Sequence, residues 1–145
     1  MLCELKDFLV EQTKILDECG YEHGWADGGC QMLAEAIVKW SDGDFALGAV
    51  WELFGQREHI THVFAIMDGL MIDGDGVTFS PEEMLGRRPD AAKRGLRVGS
   101  FDQLVFDRDG SITAAPWVSD LLAKALADRF GSFTSSMINR LFPTP

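Results

Sequence analysis

The sequence predicts an α+β domain, and three observations carry that prediction. Apolar residues recur at three- and four-residue steps near the N-terminus and again after Cys30, as amphipathic helices require. Asp68-Gly69 separates two apolar runs, ITHVFAIM and LMID, which is the pattern of a two-residue hairpin. Pro116 opens a further apolar-periodic segment that Gly131 closes. With 145 residues, 46% of them hydrophobic, the chain can build one sizeable core, whereas two domains would each be marginal. Residues 1–145 are therefore read as a single domain.

Taken in order, Leu2, Leu5, Phe8, Leu9, Ile15, Leu16 and Cys19 form the stripe of a first helix, with Gly20 suited to its C-terminal stop. YEHGWADGG, residues 21–29, mixes glycine with aromatic and charged residues and reads as a loop. A second helix starts near Cys30, turns Met32, Leu33, Ala36, Ile37 and Trp40 to one face, and stops at Ser41-Asp42-Gly43-Asp44. Its apolar content predicts a central, mostly buried helix. FALGAVWEL, residues 45–53, reads as a strand, followed by the hairpin. Ser80-Pro81-Glu82-Glu83 supplies an N-cap, a proline at N1 and acidic residues in the first turn, so a short helix is expected from Pro81 towards Arg88. GLRVGSFDQLVF has room for one or two short strands, and Asp107-Arg108-Asp109-Gly110 reads as a turn. Pro116 to Phe130 is the third long helix, and Phe133, Met137, Ile138 and Leu141 suggest a terminal helical turn or two.

No window offers the eighteen or so uninterrupted apolar residues of a membrane span. The start, MLCELKDFLVEQ, lacks the basic and apolar regions of a secretory signal. Cys3, Cys19 and Cys30 are an odd set without framework spacing, so the expected location is the reducing cytoplasm. The net charge of −10 is unevenly spread: residues 1–84 carry 4 Lys+Arg against 17 Asp+Glu, and residues 85–145 carry 9 against 6. The first half is thus set against direct nucleic-acid binding, while it suits a basic protein partner.

The hairpin fixes a register. If Met67 pairs with Leu70, Phe64 faces Asp73 and His62 faces Asp75, and all four side chains share one face. Either carboxylate is then placed to hold the imidazole, an expectation framed through Nδ1. Val63, Ala65, Met67, Leu70 and Ile72 take the other face as core. Cys30, at a helix N-terminus, sits where unpaired N–H groups and the helix dipole stabilise a thiolate, although Asp27 and Glu35 oppose this. Gly28 and Gly29 would let a substrate backbone approach.

GGC at a helix start followed by QMLAEAIVKW, then a strand, HVFAI, a turn and LMIDGDG, resembles small papain-like proteins, among them thiol peptidases and toxin-type glutamine deamidases. The resemblance covers roughly residues 25–85. It implies a papain-like fold, with Cys30 as nucleophile, His62 as general base and Asp73 or Asp75 as the orienting group. Residues 21–29 contain no glutamine to serve as an oxyanion donor, so Trp25, Tyr21 or the backbone alone would take that part.

Other signals are weak. An EF-hand counted from Asp73 would put Val77, Thr78 and Met84 at positions that need a ligand, a glycine and a bidentate glutamate. Cys19, His23 and Cys30, or His59 and His62, fit no standard zinc spacing, so no cofactor is expected. Arg87, Arg88, Lys93, Arg94 and Arg97 read as a solvated basic loop. Two functional expectations result. One is a thiol-dependent hydrolase or amidase acting on a peptide or glutamine-type amide of a peptide or protein substrate. The other is a non-catalytic acidic binder, such as a phage or mobile-element inhibitor blocking a nucleic-acid-binding surface of a CRISPR-type host defence complex. The binder requires Glu22, Asp27, Asp42, Asp44, Glu52 and Glu58 together on one exposed face.

Overall fold

A computed structural model of the chain describes residues 4–12, 30–55, 57–74, 76–88, 90–101, 107–108 and 116–137. The elements are α1 (Glu4–Glu11), α2 (Cys30–Trp40), β1 (Ala46–Phe54), β2 (Arg57–Met67), β3 (Leu70–Asp73), β4 (Gly76–Thr78), α3 (Pro81–Gly86), α4 (Ala91–Arg94), β5 (Arg97–Ser100), β6 (Asp107–Arg108) and α5 (Pro116–Phe130), followed by a 3-10 turn (Ser135–Met137). The fold is α+β. Its antiparallel sheet runs β4-β3-β2-β1-β5, and β6 adds a short parallel pairing to β2.

The local chemistry explains these boundaries. Past Trp40, α2 closes in a Schellman arrangement, in which Asp42 N–H donates to Lys39 O and Gly43 N–H to Val38 O, with Asp42 in the left-handed region at φ 54. The β2–β3 turn has positive φ at both Asp68 (49) and Gly69 (81), as a type I′ hairpin requires, and Met67 pairs with Leu70. Ser80 Oγ accepts from Glu83 N–H at 3.1 Å and caps α3.

Both faces of the sheet are covered. On one, α1, α2 and α5 bring Phe8, Leu33, Ile37, Leu122 and Phe130 onto Ala65 and Ile72. On the other, α3 and the segment leading to β5 bring Met84 and Leu96 onto Val50, Phe64 and Met71. The face of Phe64 is therefore core as well, not only the face of Val63 and Ala65. Lys39 Nζ reaches Ser119 Oγ at 2.8 Å and Asp120 Oδ1 at 2.6 Å, tying α2 to α5.

Several expectations need correction. The first helix is described only as Glu4–Glu11, so Ile15, Leu16, Cys19 and Gly20 lie outside the described residues. Asp107 and Arg108, read as the start of a turn, instead pair with Arg57 and Glu58 as β6, while Asp109 and Gly110 lie outside the described residues. The basic run is not a simple loop, since Ala91–Arg94 forms a helical turn ending at Gly95, φ 69, anchored by Arg94 on Glu52.

Candidate active site

The site begins with two local facts. Cys30 is the first residue of α2, where backbone N–H groups have no partner within the helix. His62 stands on β2 opposite Val50, and the next pair along is Trp51 with Ile60, so Thr61 is an extra residue bulging from the ladder. Thr61 Oγ1 donates to Val50 O at 3.2 Å and pins the bulge. Its consequence is a break in alternation: Ile60 and Val63, three apart, both pack in the cluster of Cys30, Ala34, Ala49 and Trp51.

Cys30, His62 and Asp73 come together. His62 Nε2 lies 2.8 Å from Asp73 Oδ2, and Cys30 is near enough to the same imidazole to contribute to the rise in its pKa. Since Nε2 is engaged by the carboxylate, Nδ1 is the nitrogen left for sulfur. The expectation that the carboxylate holds Nδ1 is thus reversed. The ladder between β2 and β3 ends at Ala65 and Ile72, so His62 meets Asp73 diagonally rather than a directly opposed residue. Asp75 lies outside the described residues.

All three are buried, Cys30 at 5%, His62 at 1% and Asp73 at 2% exposure. Burial pushes the His62 imidazole towards its neutral form, but the hydrogen bonds to Asp73 and Cys30, with their negative charges, outweigh it and raise its pKa above the ordinary value. Behind the carboxylate, Arg87 Nη1 stands 3.8 Å from Asp73 Oδ1, while Arg87 Nη2 donates to Val77 O at 3.3 Å. The Phe64 ring lies beside the imidazole with centroids 6.4 Å apart. Glu35, which opposes thiolate formation in sequence terms, accepts from Gln31 Nε2 at 3.0 Å. Among the described residues no group of His, Cys, Asp and Glu is arranged to hold a metal ion.

Sequence reasoning missed Arg87 as part of this group, because nothing in the basic run distinguishes the arginine that turns inward. It equally missed the bulge at Thr61, which has no residue signature here.

The acidic-face arrangement fares differently. Asp42 and Asp44 are exposed, but Glu52 and Glu58 are buried, at 8% and 2% exposure. Glu52 is held in a two-point ion pair by Arg94, Nε to Oε2 at 3.1 Å and Nη2 to Oε1 at 2.9 Å. Glu52, neutralised in this way, and Glu58, buried, do not form part of an exposed acidic surface, which corrects the expectation for both residues. Glu22, Trp25 and Asp27 lie outside the described residues. Among the described residues no helix is long and apolar enough to cross a membrane.

No protein-family model, curated protein or solved structure matches this chain.

Proposed function

We propose that the protein is a thiol-dependent hydrolase or amidase acting on a peptide or glutamine-type amide, on a papain-like arrangement of α2 against the sheet. The observation that carries this reading is the 2.8 Å pair of His62 Nε2 and Asp73 Oδ2, with Cys30 at the start of α2 near enough to help raise the His62 pKa. In it, His62 Nδ1 takes the thiol proton while Asp73 holds Nε2–H and fixes the tautomer. The thiolate attacks the amide carbonyl carbon, forming the C–S bond, and N–H groups at the start of α2 face the developing oxyanion. The imidazolium then protonates the leaving nitrogen as the C–N bond breaks. Water, deprotonated by His62, attacks the thioester, releasing the carboxylate product and restoring the thiol.

Two measurements test this. Limiting iodoacetamide at neutral pH, read by mass spectrometry, should label Cys30 faster than Cys3 and Cys19, and His62→Ala should abolish that advantage. An unactivated thiol at 5% exposure reacts slowly, so equal or slower labelling of Cys30 rejects the reading. Fluorogenic peptide amides and ammonia release from glutamine peptides then separate peptidase from deamidase activity, with Cys30→Ala as the inactive reference.

A further inference from the structure

Between α3, α4 and the start of β5 lies an open cavity of about 640 Å³, lined by none of Cys30, His62 and Asp73. Its apolar lining includes Leu85 from α3, Ala91 from α4 and Leu96 just before β5, and Leu96 is itself fixed in the core with Val50 and Met84. This is the size of small-molecule sites, which combine apolar walls with a few polar groups that fix orientation. Here the charged groups are two guanidinium side chains, Arg88 after α3 and Arg97 at the start of β5.

Neither arginine is balanced by a carboxylate among the described residues. Arg88 Nη2 reaches Met84 Sδ at 3.8 Å, and a thioether sulfur is a weak acceptor. Arg88 Nε–H is buried without a hydrogen-bond partner. Buried donors are nearly always paired, and a guanidinium this short of acceptors is a ready partner for an anion. The imbalance is not for want of acidic residues, since the chain carries 23 Asp+Glu against 13 Lys+Arg. Those on the neighbouring elements are directed elsewhere: Glu52 is held by Arg94, Asp90 acts on Arg94 as well, and Glu83 accepts from Phe79 N–H at 3.1 Å.

We propose that this cavity binds a small organic anion, a carboxylate or phosphate group carried on an apolar body, with Arg88 and Arg97 taking the anionic group and Leu85, Ala91 and Leu96 the apolar part. The site goes beyond the thiol chemistry and does not depend on it. Guanidinium forks match the paired oxygens of both head groups, so the shared chemistry is an oxyanion with two acceptor atoms to offer. The apolar walls add burial of the attached body, which a bare inorganic ion does not supply.

The experiment follows the methyl NMR signals of Leu85, Ala91 and Leu96 in the full chain, in Tris chloride buffer, as hexanoate, hexyl phosphate, inorganic phosphate or hexanamide is added. Hexanoate or hexyl phosphate should shift these signals and saturate below about 10 mM, and the tighter of the two identifies the head group. Hexanamide, which lacks the charge, and inorganic phosphate, which lacks the apolar body, should each bind about tenfold more weakly or worse. Arg88→Gln and Arg97→Gln should each lower the affinity for the preferred probe by about tenfold or more, as loss of a charge-assisted hydrogen bond implies. Lys93→Gln removes an exposed charge on α4 outside the lining and should change it by less than about twofold. Arg97 is exposed, so Arg97→Gln is expected to fold and carries the test if Arg88→Gln does not. No saturation with either organic anion, hexanamide binding equally well, inorganic phosphate binding as tightly as the preferred probe, or unchanged affinity in either glutamine variant overturns the proposal.

Discussion

Gly48→Ala should damage the protein through a single atom. Gly48 lies opposite Phe64 across the β1–β2 pair, in ordinary extended backbone, so the substitution carries no conformational penalty of its own. The added Cβ would stand 2.3 Å from one Phe64 ring carbon and 2.7 and 2.9 Å from two more. Ordinary contact begins near 3.4 Å, so the ring has to retreat by about 1 Å. It has nowhere to go, being fully buried among Val50, Met71 and Met84. Overpacking of this kind costs about 1–3 kcal/mol, which for a domain of this size lowers the melting temperature by roughly 3–12 °C. Because the ring borders His62, a displaced Phe64 should also slow Cys30 alkylation. Thermal melts of the parent, Gly48→Ala, Phe64→Leu and the double variant give the coupling between the two positions. The double variant should be more stable than the sum of the single losses by about 1 kcal/mol or more. A Gly48→Ala melt within a degree of the parent, or strict additivity, would refute the reasoning.

Three further outcomes are expected. The His62 pKa is raised by folding, so its contribution to stability is fully present below about pH 6.5 and is lost as pH rises through the folded value. Asp73→Asn removes the charge behind that rise, so its melting temperature should fall furthest below the parent's on the acid side of neutrality. A gap that widens steadily from pH 6 to pH 9 would contradict that sign. Gly69→Val forces a β-branched residue to φ 81 and should cost about 1–3 kcal/mol, read from denaturant unfolding; an unchanged midpoint would reject the turn assignment. Ser80→Ala removes the hydroxyl that accepts from Glu83 N–H and should cost about 1 kcal/mol, whereas Ser80→Asp should recover it. Equal melting temperatures for all three residues at position 80 would show that the cap contributes nothing.

Much of the fold was legible because it is written in short-range chemistry. The start of α2 at Cys30, its stop at Ser41-Asp42-Gly43, the type I′ turn at Asp68-Gly69, the Ser80 cap and the Pro116–Phe130 helix each depend on the conformational preferences of a few adjacent residues. That chemistry also put His62 and Asp73 on one face of the hairpin, since a two-residue turn fixes register and register fixes alternation. The carboxylates of the acidic half could be counted but not placed. Whether Glu52 is solvated or clamped by Arg94 depends on a residue 42 positions away.

What the sequence by itself determined, then, is the set of local elements and the pairing across the hairpin, because turn dihedrals and side-chain alternation are properties of neighbouring residues. What only the tertiary structure decided is how those elements meet. The bulge at Thr61 shifts the register between Val50 and Trp51, and so sets Ile60 and Val63 together around Cys30. The diagonal reach of His62 Nε2 to Asp73 follows from where the β2–β3 ladder ends. That Arg87 approaches Asp73 while Arg88 reaches Met84 Sδ depends on how the end of α3 packs against the sheet. Each depends on contacts between segments distant in the chain, whose energies are set by packing against partners that no local pattern names.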